Sequence, residues 1–345
     1  MGSRTMGPST GADTRAHADR HDALSSERLL ALPPSLRRRG ELQAFTYARL
    51  QQSEGLARLG AASAEHRRSY LSALTLNLVR MECLDELLPL VYARGIRLVL
   101  IKGALLARTH YGDPGARPMA DLDLVVAPAQ LDEAVAVLTQ LGFHTELHPQ
   151  WKLDRDAVHD LQFFRGSVTV ELHFRLWHEL GIDKDVAGLV QRARWVPFGA
   201  GQALAPSLAD HLYLILVHAA MHGFAGNPLW MTDAILLAAD ADAEVWAEVE
   251  ALAQRAGASL ALWMALDQLG FHFPGAVPAS RVSGRRSLRR LVARALSPLL
   301  HRGERELGAL PSRLIRPLLF ERPSALLSWI AGKGQLWLQR RRSGH

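Results

Sequence analysis

The chain has one cysteine, Cys83, in 345 residues, so it can form no internal disulfide and no cysteine-rich zinc or iron–sulfur site. A reducing cytosol is therefore the expected compartment, and Cys83 itself reads as a small apolar filler on a helix. Also missing is the interleaving of aromatic and basic residues that marks a nucleic-acid module, so nucleic acid is not an expected partner. Long hydrophobic runs are absent. The most apolar longer stretch, "LYLILVHAAMHGFAG" from Leu212, carries His218 and His222 and is too short and too polar to span a bilayer. Residues 1–24 are polar and rich in small side chains, lack the apolar core of a secretory signal, and read as disordered.

Charge is present but uneven. The net +6 divides into +12 for residues 281–345, which hold 15 Lys/Arg and 3 Asp/Glu, and −6 for everything before them. The basic character belongs to the tail, where solvated arginines on amphipathic helices explain it more simply than a surface for phosphate, nucleic acid or lipid.

Helical patterns are predicted over Ser25 to Leu32 and Gly40 to Gly60, separated by a break at Pro33-Pro34. A longer helix is predicted from Ala62 to Arg94, with Leu71, Leu74, Leu78, Met81, Leu84, Leu87, Leu88 and Val91 as its apolar positions and Gly95 as its end. The middle of the chain then alternates: a strand over Ile96 to Ile101, a helix in "GALLARTHY", a Gly/Pro-rich loop, a strand in "DLDLVV", and a helix opened by Pro128. Two more strands, His159 to Phe164 and Val168 to Phe174, are predicted to meet at an Arg165-Gly166-Ser167 turn. From Ser207 onward the pattern is helical, with Ser207 and Asp210 placed as an N-cap and an acid in the first turn.

Side chains two apart in a strand share a face, so Asp121 and Asp123 project together while Leu122 and Leu124 point the other way. Two ionised carboxylates so close repel each other and need a divalent metal, a shared proton or arginine partners. Glu171 and His173 in "VTVELHF" repeat the spacing. If the two strands are neighbours, Asp121, Asp123 and Glu171 form a set of hard oxygen ligands suited to Mg²⁺ or Mn²⁺. Lys102 and Gly103 at the end of the first strand, and Arg117 in the loop before Asp121, supply cations and an open backbone turn of the kind that phosphate chemistry uses.

These residues resemble a known family. "IKGALLARTHYGDPGARPMADLDLVV" together with "VTVELHF" looks like the uncharacterised bacterial nucleotidyltransferase family of the polymerase-beta-like superfamily, over about Leu29 to Ala239. The resemblance implies an α+β fold: a core with a small mixed sheet and flanking helices, lying between N-terminal and C-terminal helical regions. The boundaries expected on this basis are residues 25–95 for the first helical region, 96–200 for the core, and 201–345 for the second helical region with its basic tail. It also implies transfer of a nucleoside monophosphate from a nucleoside triphosphate, ATP among the candidates, to a hydroxyl or similar group on a small molecule or peptide. Asp121, Asp123 and Glu171 would be the catalytic metal ligands, and Lys102, Gly103, Arg117 and His173 the nucleotide-binding residues. Ala104 departs from the superfamily pattern, because a hydroxyl that often touches the triphosphate is missing there.

Other readings compete. Asp-x-Asp with a metal also serves nucleotide-sugar glycosyltransferases, but those need a nucleotide-binding α/β domain upstream, where this chain reads as helices. A non-catalytic adaptor would not be expected to keep the full acid set. His218 and His222, at i and i+4, have a spacing that can bind zinc, and with Trp230 and Asp233 they read instead as a cleft wall or a buried polar network. His159-Asp160 lacks the other ligands of a metal phosphohydrolase.

Overall fold

The computed structural model describes residues 24–32, 36, 40–145, 160–176, 185–224, 228–277 and 295. The expectations for the start of the chain, for Pro33-Pro34, for His159 and for the basic tail apart from Ala295 lie outside the described residues.

A six-stranded mixed sheet organises the fold. Its strands are β1 (Val99–Leu100), β2 (Leu122–Val125), β3 (Asp160–Arg165), β4 (Val168–His173), β5 (Arg194–Phe198) and β6 (Gly201–Ala205), in the spatial order β3-β4-β2-β1-β6-β5. β2 runs parallel to β4 and antiparallel to β1, while β1 runs parallel to β6. Alternation along β2 and β4 divides their side chains cleanly. Leu122, Leu124, Val170 and Leu172 point into an apolar cluster on one face; Val125 points into another cluster on the opposite face, the one that Asp123 shares.

Helices cover both faces. On the leucine side lie α3 (Ser63–Ala93) and α5 (Leu131–Gln140). The aspartate side is packed by α7 (Leu208–Met221), α8 (Leu229–Ala239), α9 (Ala243–Ala256) and α10 (Ser259–His272), with α1 (Ser26–Ala31), α2 (Gly40–Gln52) and α6 (Val186–Arg192) joining that core. Between β1 and the loop before β2, α4 (Lys102–Leu106) continues into a π-helical turn, Ala107–Tyr111, which Gly112 closes at φ 67°. Among the described residues no helix is long and apolar enough to cross a membrane.

The expected elements recur with instructive shifts. β1 is shorter than the Ile96–Ile101 run because the Arg97 N–H is taken by Gln130 Oε1 at 3.0 Å, outside any ladder. α2 stops at Gln52, where the Gly55 N–H turns back to Leu50 O at 2.7 Å and a 3₁₀ segment, Leu56–Ala62, replaces the rest of the predicted helix. The long helix has the predicted extent within a residue, yet Leu71 and Leu78 are 40% and 54% exposed rather than buried. In their part of the helix the buried stripe carries Asn77 and Arg80 instead. Asn77 Nδ2 donates to Pro114 O (2.6 Å) and Arg117 O (2.8 Å), and Arg80 donates to Ala120 O at 2.9 Å. The Gly/Pro-rich loop leading to β2 has no ladder to satisfy its carbonyls, and these two side chains do so.

The β5–β6 hairpin has no counterpart in the sequence reading. Pro197 argues against a strand, but β5 is the sheet's edge, where a missing N–H costs no ladder bond.

Candidate active site

Strand pairing builds the site. β2 and β4 lie side by side in parallel with Asp123 opposite Glu171 and Val125 opposite His173, which brings the acids of the two predicted strands together. One oxygen, Asp123 Oδ1, is the hub: Lys102 Nζ lies 3.0 Å from it and His173 Nε2 3.2 Å. His173 Nε2 is also 3.7 Å from Glu171 Oε2, and Gln162 on β3 donates to Glu171 Oε1 at 2.8 Å. Asp123, Glu171 and His173 each offer a ligand atom within 4.8 Å of the others, the only such group of three among the described residues.

Two carboxylates two residues apart have opposite fates. Burial alone would raise Asp123, but the Lys102 ammonium and the His173 hydrogen bond outweigh it and hold this carboxyl far below the usual carboxylate range. Asp121 is pushed up from 3.8 to about 6, first by burial and then by the negative charges of Asp123 and Glu171, against the weaker pull of Lys102 and His173.

A pH signature follows. Because the folded value of Asp121 is raised, its contribution to stability is present below 3.8 and is lost as pH climbs to about 6. In metal-free buffer, melting temperatures of the wild type and Asp121→Asn should diverge over that interval, the variant becoming the more stable of the two. Parallel curves would contradict this assignment.

Lys102 sits at φ 49°, in the left-handed region that side chains avoid, at a cost of about 1–3 kcal/mol. Its N–H donates to His211 Nε2 of α7 at 3.1 Å. Gly103, the next residue, is pressed against its neighbours: a Cβ there would stand 3.1 Å from Arg117 Nη1 and 3.2 Å from Met119 Cβ.

Arg117 lies beside this turn but is spoken for on its other edge. Its Nε and Nη2 donate to Asp233 Oδ1 (2.9 Å) and Oδ2 (2.6 Å), a fork-to-fork pair with both side chains buried. The Tyr111 hydroxyl, 2.7 Å from Thr232 Oγ1, also donates to Asp233 Oδ1 at 2.7 Å. Asp233 is therefore part of a buried polar network, one of the two roles expected for it, and the partner of Arg117 is Asp233.

The His218 ring on α7 and the ring of His222, the residue that caps that helix, lie tilted with centroids 4.3 Å apart, and among the described residues neither joins a group of three metal-ligating atoms. His218 is held well below the usual imidazole range by burial, then by the neighbouring Lys102 and His222. Trp230 packs near Phe224 at 5.7 Å.

Sequence reading overlooked His211, Asn77, Arg80, Tyr111 and Gln162. A signal for His211 did exist: it precedes His218 by seven residues, two turns of α7, and so lies on the same face.

Comparison with known proteins adds to this geometry. Residues 35–271, well over half of the chain, match the model of a family described as uncharacterised nucleotidyltransferase. No curated protein matches. Among solved structures, the antibiotic-resistance factor ANT(2'')-Ia in solution is similar at 15% identity and a TM-score of 0.40, covering 57% of this chain and 99% of that one. The crystal structure of ANT(2'')-Ia in complex with adenylyl-2''-tobramycin has the same identity and TM-score and covers 51% and 98%. An antigenic nucleotidyltransferase-like protein from Paracoccidioides brasiliensis follows at 14% identity and a TM-score of 0.30, covering 61% and 96%.

Proposed function

Because this chain belongs to the uncharacterised nucleotidyltransferase family, and is thereby a transferase, we propose that it moves a nucleoside monophosphate from a nucleoside triphosphate to a hydroxyl or similar group on a small molecule or peptide. The observation that carries the proposal is the parallel pairing of β2 with β4, which sets Asp123 opposite Glu171 with His173 and Lys102 around one shared oxygen.

The donor set fits a hard divalent cation, Mg²⁺ or Mn²⁺. Two carboxylates and an imidazole converge within 4.8 Å, and burial together with the charges of Asp123 and Glu171 disfavours a further ionised carboxylate at Asp121. Asp123 and Glu171 would hold the cation with Asp121 and His173 at its edge. When bound, such an ion offsets charge on the triphosphate oxygens and lowers the pKa of an attacking hydroxyl.

The chain's own residues do the rest. Lys102 Nζ, 3.0 Å from Asp123 and at the rim of the cluster, is placed to leave that carboxylate for a triphosphate oxygen once a cation has taken over the charge. Gly103 keeps the turn bare so that phosphate can approach the backbone. Arg117, fixed by Asp233, presents its remaining Nη1 edge next to Gly103 and adds positive charge there. The acceptor oxygen attacks the α-phosphorus, pyrophosphate leaves on the far side, and binding in line with these cations supplies the orientation. His173 holds Asp123 and Glu171 in place from their shared strand pair.

Incubating the full chain with Mg²⁺, each α-labelled ribonucleoside triphosphate and a cell extract should produce labelled acceptor, and the label should vanish in the Asp121→Ala/Asp123→Ala variant. If no triphosphate binds in the presence of Mg²⁺ or Mn²⁺, the proposed reaction falls.

A further inference from the structure

The turn that presents Lys102 is strained, and it is gripped from outside the sheet. Within the sheet and the turns adjoining its strands, Lys102 is the one non-glycine residue of the described set with positive φ. Glycine would take up that backbone freely, so the lysine side chain is kept at a position where it costs energy. An unpartnered chain would relieve the strain by turning the residue back to the extended or helical region, and Nζ would swing away from Asp123. Beside the Nζ–Asp123 ion pair, what opposes this from outside the sheet is the hydrogen bond from the Lys102 N–H to His211 Nε2, at 3.1 Å.

His211 is itself firmly held. It is 3% exposed, and its own N–H donates to Ser207 O at 2.9 Å in the first turn of α7. Ser207 caps that turn by accepting from the Asp210 N–H at 3.1 Å, and the neighbouring Asp210 carboxylate is clamped by Arg192 of α6 at 2.9 and 2.8 Å. Burial first, then His110, Arg117 and Lys102 around it, push the His211 ring down to about 3, against the pull of Asp123. The ring is therefore neutral at physiological pH, with Nε2 free to accept and the proton on Nδ1.

We propose that His211 is a positioning residue for nucleotide transfer: by capturing the Lys102 N–H it fixes the left-handed turn that aims the Lys102 ammonium across the Asp123 cluster at the triphosphate. The inference rests on the reading of Lys102 as a triphosphate contact. His211 touches neither substrate nor cation in this scheme; it acts through the backbone of Lys102. Its loss is consequently expected to weaken triphosphate binding without weakening cation binding, since an Nζ that swings away from Asp123 leaves that carboxylate open to a cation.

The test uses the full chain, Mn²⁺ and the four ribonucleoside triphosphates in titration calorimetry. His211→Asn, whose side chain ends short of the Nε2 position, should weaken triphosphate binding about tenfold without weakening the affinity for Mn²⁺ alone. His211→Gln, whose terminal oxygen reaches the Nε2 position, should restore most of the loss. Unchanged triphosphate affinity in His211→Asn overturns the proposal, and so does equal weakening in both variants, which would mark a packing role only. A wild type that binds Mn²⁺ but none of the triphosphates removes the nucleotide reading itself, and this proposal with it. If His211→Asn fails to fold, the His211→Gln affinity and the wild-type ring decide the matter. A long-range ¹H–¹⁵N spectrum should show Nδ1 protonated and Nε2 bare, and a protonated Nε2 overturns the proposal.

Discussion

Asp123→Asn should lower nucleotide transfer by about a thousandfold with the fold preserved. The amide matches the carboxylate in shape, so the leucines on either side of it still seal β2 into the sheet, while the charge that gathers Lys102 and His173 at one oxygen, and that the proposed cation would need, is gone. Lys102 keeps 19% side-chain exposure and can turn to solvent, which limits the loss of stability. Steady-state transfer of α-labelled nucleotide, with circular dichroism as the control for folding, is the measurement. Activity within a few-fold of wild type would remove Asp123 from the reaction. Asp121→Asn provides the contrast: it too should lose transfer, yet without metal at pH 7 it should melt higher than the wild type because it deletes a charge that burial and the neighbouring carboxylates disfavour.

The largest effect on stability is expected at a position with no part in holding the cation. Asp233→Ala should destabilise the protein by about 3–5 kcal/mol, because it leaves the Arg117 guanidinium buried and without its counter-charge. The side chains of this pair are only 8% and 3% exposed, so solvent cannot substitute for the lost partner. Tyr111→Phe removes one hydrogen bond to the same carboxylate and should cost about 1 kcal/mol. Urea unfolding of the three proteins gives the comparison. Replacing both members of the pair with apolar residues of similar volume should recover much of the Asp233→Ala loss. Transfer should nonetheless stay impaired in that double variant, since Arg117 would no longer stand beside Gly103. A double variant as active as wild type would assign the pair to stability alone.

Much of the local architecture can be read from the chain. The pattern over Ala62 to Arg94 predicts the long helix found there within a residue at each end, and "DLDLVV" predicts a strand whose leucines and aspartates part to opposite faces. Such patterns are legible because they depend on neighbours a few residues apart. Reading fails where a distant partner changes the meaning of a residue. Leu71 and Leu78 are apolar yet exposed, and Asn77 and Arg80 are polar yet buried, because the loop 112–120 brings orphan carbonyls to that side of α3. Pro197 is tolerated in a strand only because topology puts β5 at an edge.

The same division runs through the candidate site. By itself the sequence determined that Asp121 and Asp123 share a face, that Glu171 and His173 share another, and that the chain carries the signature of its nucleotidyltransferase family, since each depends on spacing along a strand or on a contiguous motif. Only the tertiary structure decided that the two faces meet through a parallel β2–β4 pair, and that His173 joins Asp123 and Glu171 in the tight group. Arg117 finds its partner 116 residues away in Asp233, and Lys102 is gripped by His211 from 109 residues away. Contacts of that span are set by how the helices close over the sheet, and nothing in the residues between them encodes the pairing locally.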